Sequence, residues 1–502
     1  MLPFTIGAKR LSDVRLALHC DFIVPRLFCI SFSILGALVL THWVWWVFGP
    51  FSANVVCAFW CFSPDILAHA QTIVPDVGSV AMGLVACYAL WHYIHKPSTE
   101  IAFLVGIGFG FALLTKLTWI TGFATLPFTA FLCSWIWKEQ LPLRSMSHRA
   151  TDMILVLVTA ITVLNAGYLF EGTGTTLGEY KFCSKTLGGA DCNASTLGNR
   201  FAESWIAAIP VPLPKNYVMG ADYLKFEVEA KRWSFLFGEW RFGSWPYYYV
   251  ATTLVKTPLA TLIGTAIGMA LLIYWQRKDS LSVKTMTMLA AIGIPAIVCF
   301  SSVSLQGGFN HHHRYVMQVY PLLFVLVAAI GWESPLQLAN LRTSISAVLV
   351  VALLFSTASV APHYLSFFNS LAGGPRNGWK ILGFSNIDWG QDLLFVADWI
   401  EKHPEARPIA FELDYFNMNG ELFNLPRRSP KRFKTFSLED VGKQSQEIVK
   451  QSGPCWYIVN VRKLYNLPDS EGLQYMQQMK KVDRIAYSFH VYSLETEFSE
   501  EK

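Results

Sequence analysis

Ten apolar runs, read as membrane spans, constrain this chain more than any other feature. They lie near 26–48, 53–70, 78–95, 101–116, 118–137, 151–170, 257–275, 285–303, 314–331 and 343–361. At ~1.5 Å of rise per residue against a ~30 Å hydrocarbon core, the longer runs suffice and several others are marginal. The chain therefore reads as a polytopic α-helical membrane protein. Composition agrees: 15% of residues are charged, against about a quarter in a soluble domain. Phe, Trp and Tyr make up another 15%, which suits aromatic belts at the membrane interface. A net charge of +5 calls for no nucleic-acid partner.

Basic residues orient the spans. Lys138, Arg144 and Arg149 share one connecting loop, Arg277, Lys278 and Lys284 a second, and Arg342 lies in a third. Counting spans puts all three on one side, which the positive-inside rule makes cytoplasmic. The opposite side then receives residues 1–25, the polar segment 171–245 and the tail 363–502, with the transmembrane domain over 26–362. No signal peptide carries residues 1–25 across. Two explanations stand open: the first span inserts with its short head translocated, or the chain lacks an upstream span.

Most of the ten cysteines sit within spans as small apolar residues. Cys183 and Cys192 share the polar segment, where an oxidising compartment would allow a disulfide. Asn193-Ala-Ser is a glycosylation sequon by letter. In the tail, IDWGQDLLFVADWIEKH reads as an amphipathic helix opened by an Asp388/Gln391 capping box. ARPIAFELDYF, CWYIVNVRKLY and RIAYSFHVYSLE read as three strands, giving a small α/β domain.

Ionisable residues gather at the span ends on the outer side. The hairpin FSPDILAHAQTIVPDVGS carries Asp65, His69 and Asp76; ALLTKLTW carries Lys116; Glu171 follows the sixth span. VKTP places Lys256, and FNHHHRYVMQVYP places His311, His312, His313 and Arg314. Ionisable groups at membrane depth are costly and face a cavity or a partner. One acid among several cations beside lipid suits a phosphate-bearing headgroup, for which Lys and Arg are natural partners. Plainer readings remain beside this one. Asp76 follows Pro75 at a helix start and would serve as a cap; Asp65 reads as a local capping group. Lys116 would snorkel to the interface, and Arg314 would anchor a span. Three adjacent histidines do not present the pattern of a structural zinc site.

Several of these stretches resemble the glycosyltransferases of the GT-C fold that use polyprenyl-phosphate sugars. The family includes the protein O-mannosyltransferases and the lipid A aminoarabinose transferases, and belongs with glycosyltransferase family 39. HAQTIVPDVGS with GFALLTKLTWI, then SFLFGEWRFGSWPYYYVATTLVKTP, HHHRYVMQVYPLLFVLVA and PHYLSFFNSLAGGPRNGWKILGFSNIDWGQDL carry the resemblance, which covers roughly residues 25 to 400. It implies sugar transfer from a polyprenyl-phosphate carrier to an acceptor, with inversion, in a bacterial inner membrane with the site facing the periplasm. It implies Asp76 as catalytic acid or base, and Lys116, Arg314 and Lys256 as donor-phosphate ligands. His69, His313 and Glu171 become candidate contacts to donor or acceptor. The lipid-linked sugar is the donor substrate; no cofactor is implied with certainty, and a divalent metal and the nature of the acceptor stay open.

In one respect the sequence departs from the family. There the catalytic acid, often an Asp-Glu pair, lies in the first outer loop after a first span. Here the nearest acids are Asp13 and Asp21, and neither follows an outward-going span. The chain thus reads as beginning inside that loop, its first 25 residues a remnant of it. Two other functions compete: a catalytically incomplete family member that only binds lipid, and a transporter of lipid-linked sugars.

Overall fold

The computed structural model describes residues 17–142, 144–332, 339–404, 409–412, 433–436, 455–462, 464 and 479–494. Two compact units emerge. One comprises Pro25–Ser234 and Phe242–Ser359; the other comprises Phe235–Arg241, the described residues from Val360 onward and those before Pro25.

The larger unit is a bundle of apolar helices: α1 (Ala17–Phe48), α2 (Pro50–Cys61), α3 (Pro64–Ala70), α4 (Asp76–His95), α5 (Thr99–Thr115), α6 (Gly122–Ile136) and α7 (Met146–Gly167). After a long polar segment come α8 (Lys215–Glu229), α9 (Tyr248–Lys256), α10 (Leu259–Arg277), α11 (Val283–Ser304), α12 (Tyr320–Ala328) and α13 (Ala339–Ala358). Among the described residues, eight helical stretches are long and apolar enough to cross a membrane, and nine if a bent pair counts as one. The chain is thus a helical, membrane-spanning protein.

The expected spans recur with three differences. The run 53–70 is not one helix: α2 and α3 meet at 58°. Pro64 opens α3, and Ser63 before it is extended at φ −68°, ψ 124°. A proline lacks the N–H to continue a helix and pushes its predecessor out of the helical region. The fifth span begins with a tight helical turn, Leu117–Thr121, and the ninth with another, His313–Val319. The fourth, α5, has 17 residues and is short for a span. It packs closely on α7: a Cβ on Gly106 would meet Thr159 at 2.6 Å, and one on Gly110 would meet Val163 at 2.6 Å. This is the small-xxx-small spacing by which membrane helices approach closely.

Burial picks out the central elements. The stretches Asp76–His95 and His313–Gly331 are each 72% buried, whereas Asn340–Ala358 is 22% buried. The two most enclosed stretches are those that carry Asp76 and Arg314. Their apolar surroundings include Trp43, Trp60, Phe59, Met317 and Phe324, all buried.

In the polar segment, both Cys183 and Cys192 are buried free thiols, not a disulfide. The Cys183 thiol instead donates to the Asp222 carboxylate of α8 at 3.2 Å, and that carboxylate also accepts the amides of Cys183 and Ser184. Burial, with Asp222 adding to it, pushes the Cys183 thiol up to about 11, away from the thiolate that disulfide chemistry needs. Asn193 is exposed, its side-chain oxygen accepting the amides of Ser195 and Thr196 in a turn. A short hairpin follows α8: β1 (Trp233–Leu236) and β2 (Glu239–Phe242), turning at Phe237 and Gly238, both with positive φ.

The smaller unit is α/β. One helix, α14 (Leu393–Lys402), accompanies β3 (Ile409–Glu412), β4 (Phe433–Phe436), β5 (Cys455–Asn460), β6 (Lys481–Ile485) and β7 (Phe489–Leu494) in the order β4-β3-β5-β7-β6. β3 lies parallel to both β4 and β5, and β7 is antiparallel to β5 and β6. Leu393, Val396 and Ile400 of α14 join Ile409, Ile458 and Val491 in its core. RIAYSFHVYSLE is two strands rather than one, because the chain turns at Ala486, whose φ is 50°. The capping box also differs. Asp388 accepts from Gly390 N and from Asn460 Nδ2, while Gln391 accepts from Trp389 N, so both shape the turn before the helix. The helix opens after Asp392, whose carboxylate is shared by His363 at 2.9 Å and Ser488 at 2.6 Å.

Candidate functional site

Helix α5 ends at Thr115, and Lys116 adopts an extended conformation, φ −159° and ψ 135°, before the turn Leu117–Thr121. That break brings Lys116 to the first residue of α4. Its Nζ donates to Asp76 Oδ1 at 2.7 Å, and Arg314 Nη1 donates to Asp76 Oδ2 at 3.0 Å. Trp119 fixes the turn by donating from its ring N–H to Ser79 O and Ser79 Oγ at 3.1 and 3.0 Å. The indole lies on Gly83, where a Cβ would come within 1.7 Å of the ring; no larger residue fits there without moving Trp119 and, with it, Lys116. Tyr315 supplies a shared aromatic face, 5.3 Å from Lys116 Nζ and 5.5 Å from Arg314 Cζ.

This arrangement separates two readings of Asp76. A capping carboxylate would accept the backbone amides of its own helix, but Pro75 is the cap residue and no side-chain cap bond forms. Both oxygens of Asp76 go to cations instead. The acid is 1% exposed, while the Lys116 and Arg314 side chains are 14% and 20% exposed. The carboxylate therefore sits beneath its cations, and a solute meets positive charge first. One acid against two bases leaves a local excess of +1. Lysine has three N–H donors and arginine five, of which Asp76 engages one from each.

Asp65 belongs to a second cluster that its sequence context does not announce. Its Oδ2 accepts the Tyr320 hydroxyl at 2.5 Å. That hydroxyl is 2.9 Å from His313 Nε2, and His313 Nδ1 is 3.1 Å from Thr252 Oγ1. Thr257 Oγ1 lies 3.3 Å from the same hydroxyl. Asp65, His313, Thr252, Thr257 and Lys256 are all buried. Burial draws the Lys256 ammonium down to about 8, and Asp65 opposes the fall. His313 and Tyr320 meet across the tight turn His313–Val319, whose backbone is non-helical at Val316, so helical spacing gave no signal for the pair. Asp65 offered none either, since a carboxylate after Ser-Pro is an ordinary helix start.

Of the other expected residues, His69 is buried on α3 within electrostatic reach of Asp76, Arg314, Lys116 and Lys256, so it lies among both clusters. Glu171 is exposed in the turn after α7; its carbonyl accepts Lys215 N. Lys256 shares the buried neighbourhood of Asp65. The three histidines diverge: His311 Nε2 meets Trp233 O at 2.9 Å, the His312 ring stands edge-on to Tyr315, and His313 turns to Thr252 and Tyr320. Among the described residues no three or more His, Cys, Asp or Glu side chains gather as a metal site. Asp13 lies outside the described residues, and Asp21 falls in α1.

Lys256→Met tests whether Asp65 and Lys256 are a pair. Removing one partner of a buried pair typically costs ~3–5 kcal/mol, and Asp65→Asn added to it should restore most of that loss. Thermal unfolding in detergent measures this; costs that simply add in the double variant would mean no coupling. The lysine also leaves a pH signature. Its ordinary value of 10.5 exceeds its folded value of about 8, so between them the unfolded chain binds more protons. Stability should rise as pH climbs from about 8 to 10.5 in the parent, and Lys256→Met should lack that component.

No protein-family model and no curated protein matches this chain. Among solved structures it is similar to the crystal structure of ArnT from Cupriavidus metallidurans bound to undecaprenyl phosphate, at 14% identity and a TM-score of 0.40, covering 93% of this chain and 83% of that one. The apo state of the same protein gives 14% identity and a TM-score of 0.38, over 94% and 83%. Values of this size assign no family.

Proposed function

We propose that this protein is a membrane glycosyltransferase that moves a sugar from a polyprenyl-phosphate carrier to an acceptor, with Lys116 and Arg314 holding the donor phosphate. One observation carries the reading: two partly exposed cations share one buried carboxylate at a helix end in a membrane-spanning bundle. A phosphate monoester or diester is the anion such a pair suits, and Arg314 offers it a planar fork of donors. The motif resemblance around HAQTIVPDVGS, LLTK and RYVMQVYP supports the same assignment, and the span count with its basic loops supports an extracytoplasmic site.

In this reading the acceptor hydroxyl or amine forms its bond to the anomeric carbon as the bond from that carbon to the phosphate oxygen breaks. The electron pair leaves with the polyprenyl phosphate, and the growing charge on its oxygens falls to Lys116 and Arg314, the kind of electrostatic term that usually dominates. The acceptor's proton goes to Asp76. Donor phosphate competes with Asp76 for the charge of the same two cations, so donor binding loosens the hold on the carboxylate that takes the proton. Attack opposite the leaving phosphate inverts the anomeric carbon.

The test is turnover by the reconstituted chain in liposomes carrying radiolabelled polyprenyl-phosphate sugars, with hydroxyl- and amine-bearing acceptors. Loss of label from the carrier that depends on acceptor supports transfer. Tight binding of polyprenyl phosphate with no turnover of any donor would favour the lipid-binding alternative. Transporters build their sites from paired broken helices, and the described residues hold one bent pair.

A further inference from the structure

We propose that the larger unit carries a second lipid site, for an anionic glycerophospholipid, at the end of the bundle away from Asp76. This inference is independent of the proposed reaction. A cavity of about 320 Å³ opens between α4, α5, α6 and α7, within the ~300–1,000 Å³ range of small-molecule sites. Its walls are mostly apolar, with Leu90, Val105, Leu126, Phe131, Met153 and Val156 among them. Asp76 opens α4 and Tyr93, at the cavity, lies seventeen residues on, so the two sites are about 25 Å apart along that helix.

The polar groups of the cavity gather around one carboxylate. Arg144, Arg149, Tyr93 and Asp152 all line it. Asp152 is buried, accepting the Tyr93 hydroxyl at 2.8 Å and Arg144 Nη1 at 2.8 Å. Thr99 Oγ1 is 3.4 Å from its other oxygen. Arg149 Nε donates to the Arg144 backbone carbonyl at 3.0 Å, which holds its guanidinium against the start of α7. The Arg144 side chain remains 26% exposed. Two guanidinium groups and one carboxylate leave a local charge of +1. The N-terminus of the 22-residue helix α7 begins at Met146, also on the cavity, and adds the positive end of its dipole.

Apolar walls with this charge at one end fit an acyl chain under a phosphate. Two arginines that line one cavity beside lipid, with a single carboxylate among them, suit a further anion. A glycerophospholipid supplies chain and phosphate diester in one molecule and is present wherever the spans are. A soluble phosphate lacks the chain, and a zwitterionic lipid adds a cation where two already sit.

Retention of phosphatidylglycerol by the full chain tests this, measured by native mass spectrometry after purification with equimolar phosphatidylglycerol and phosphatidylcholine. The expected result is one retained phosphatidylglycerol in preference to phosphatidylcholine. Arg149→Gln removes a phosphate partner without stripping Asp152 of Arg144, and Ala130→Phe fills the apolar wall without touching a charge. Each should cut retention about tenfold or more, while Lys116→Gln, at the distant site, should leave it unchanged. Equal retention of both lipids, retention unchanged in both cavity variants, or recovery of a polyprenyl phosphate as the bound species would each overturn the proposal.

Discussion

Asp76→Asn is expected to abolish sugar transfer while leaving donor binding intact or tighter. The substitution keeps the size and polarity of the side chain but removes the negative charge hydrogen-bonded to both Lys116 and Arg314. Transfer should fall by ~10²–10⁴, the usual consequence of losing an acid or base in the transition state. The donor should bind at least as well, because two cations then face the phosphate without a competing carboxylate. A mere helix cap would behave differently, since Asn caps about as well as Asp. Turnover and polyprenyl-phosphate affinity, measured in one preparation with a matched thermal melt, decide between them. Unchanged turnover at unchanged stability would return Asp76 to a structural role.

Charge reversal at the cations should fail in the opposite manner. Lys116→Glu or Arg314→Glu places a second carboxylate against Asp76 and replaces an N–H donor that the phosphate needs. Loss of one charge-assisted hydrogen bond alone weakens binding by about ten- to a hundredfold, and reversal adds repulsion to that. Polyprenyl-phosphate affinity should therefore fall first, with turnover falling in consequence. Part of the effect will be on folding, because Asp76 is buried. Lys116→Gln and Arg314→Gln, which remove charge without adding any, should show the same ranking with smaller losses. If all four variants bind the lipid as the parent does, the cations are interface anchors and the phosphate sits elsewhere.

The sequence discloses the bundle because hydropathy reports span length directly, and its ten runs map onto the helices with little displacement. Breaks within runs were harder to see. The bend at Ser63-Pro64 and the tight turns at Leu117 and His313 interrupt apolar stretches without changing their hydropathy, so only local chemistry marks them. Those breaks also carry the candidate site: Lys116, Asp65 and Arg314 each lie at or beside one. Asp76, Lys116 and Arg314 could be grouped in advance because membrane topology places span ends at common levels. Their sharing of one carboxylate could not, since Arg314 lies 238 residues from Asp76. Asp65 and Tyr320, 255 residues apart, show the same limit: a buried pair that distant leaves no spacing to read. In the tail, Asp388 and Gln391 matched the letters of a capping box, yet the turn at Gly390, whose φ is 96°, absorbs both before the helix begins.

The most direct measurement is a cryo-electron microscopy structure of the chain with polyprenyl phosphate bound. The account predicts the phosphorus beside Lys116 and Arg314, with phosphate oxygens at hydrogen-bond distance from Lys116 Nζ and the Arg314 guanidinium and at least one of these donors drawn away from Asp76. Phosphate density elsewhere, with Lys116 and Arg314 still closed on Asp76, would contradict it.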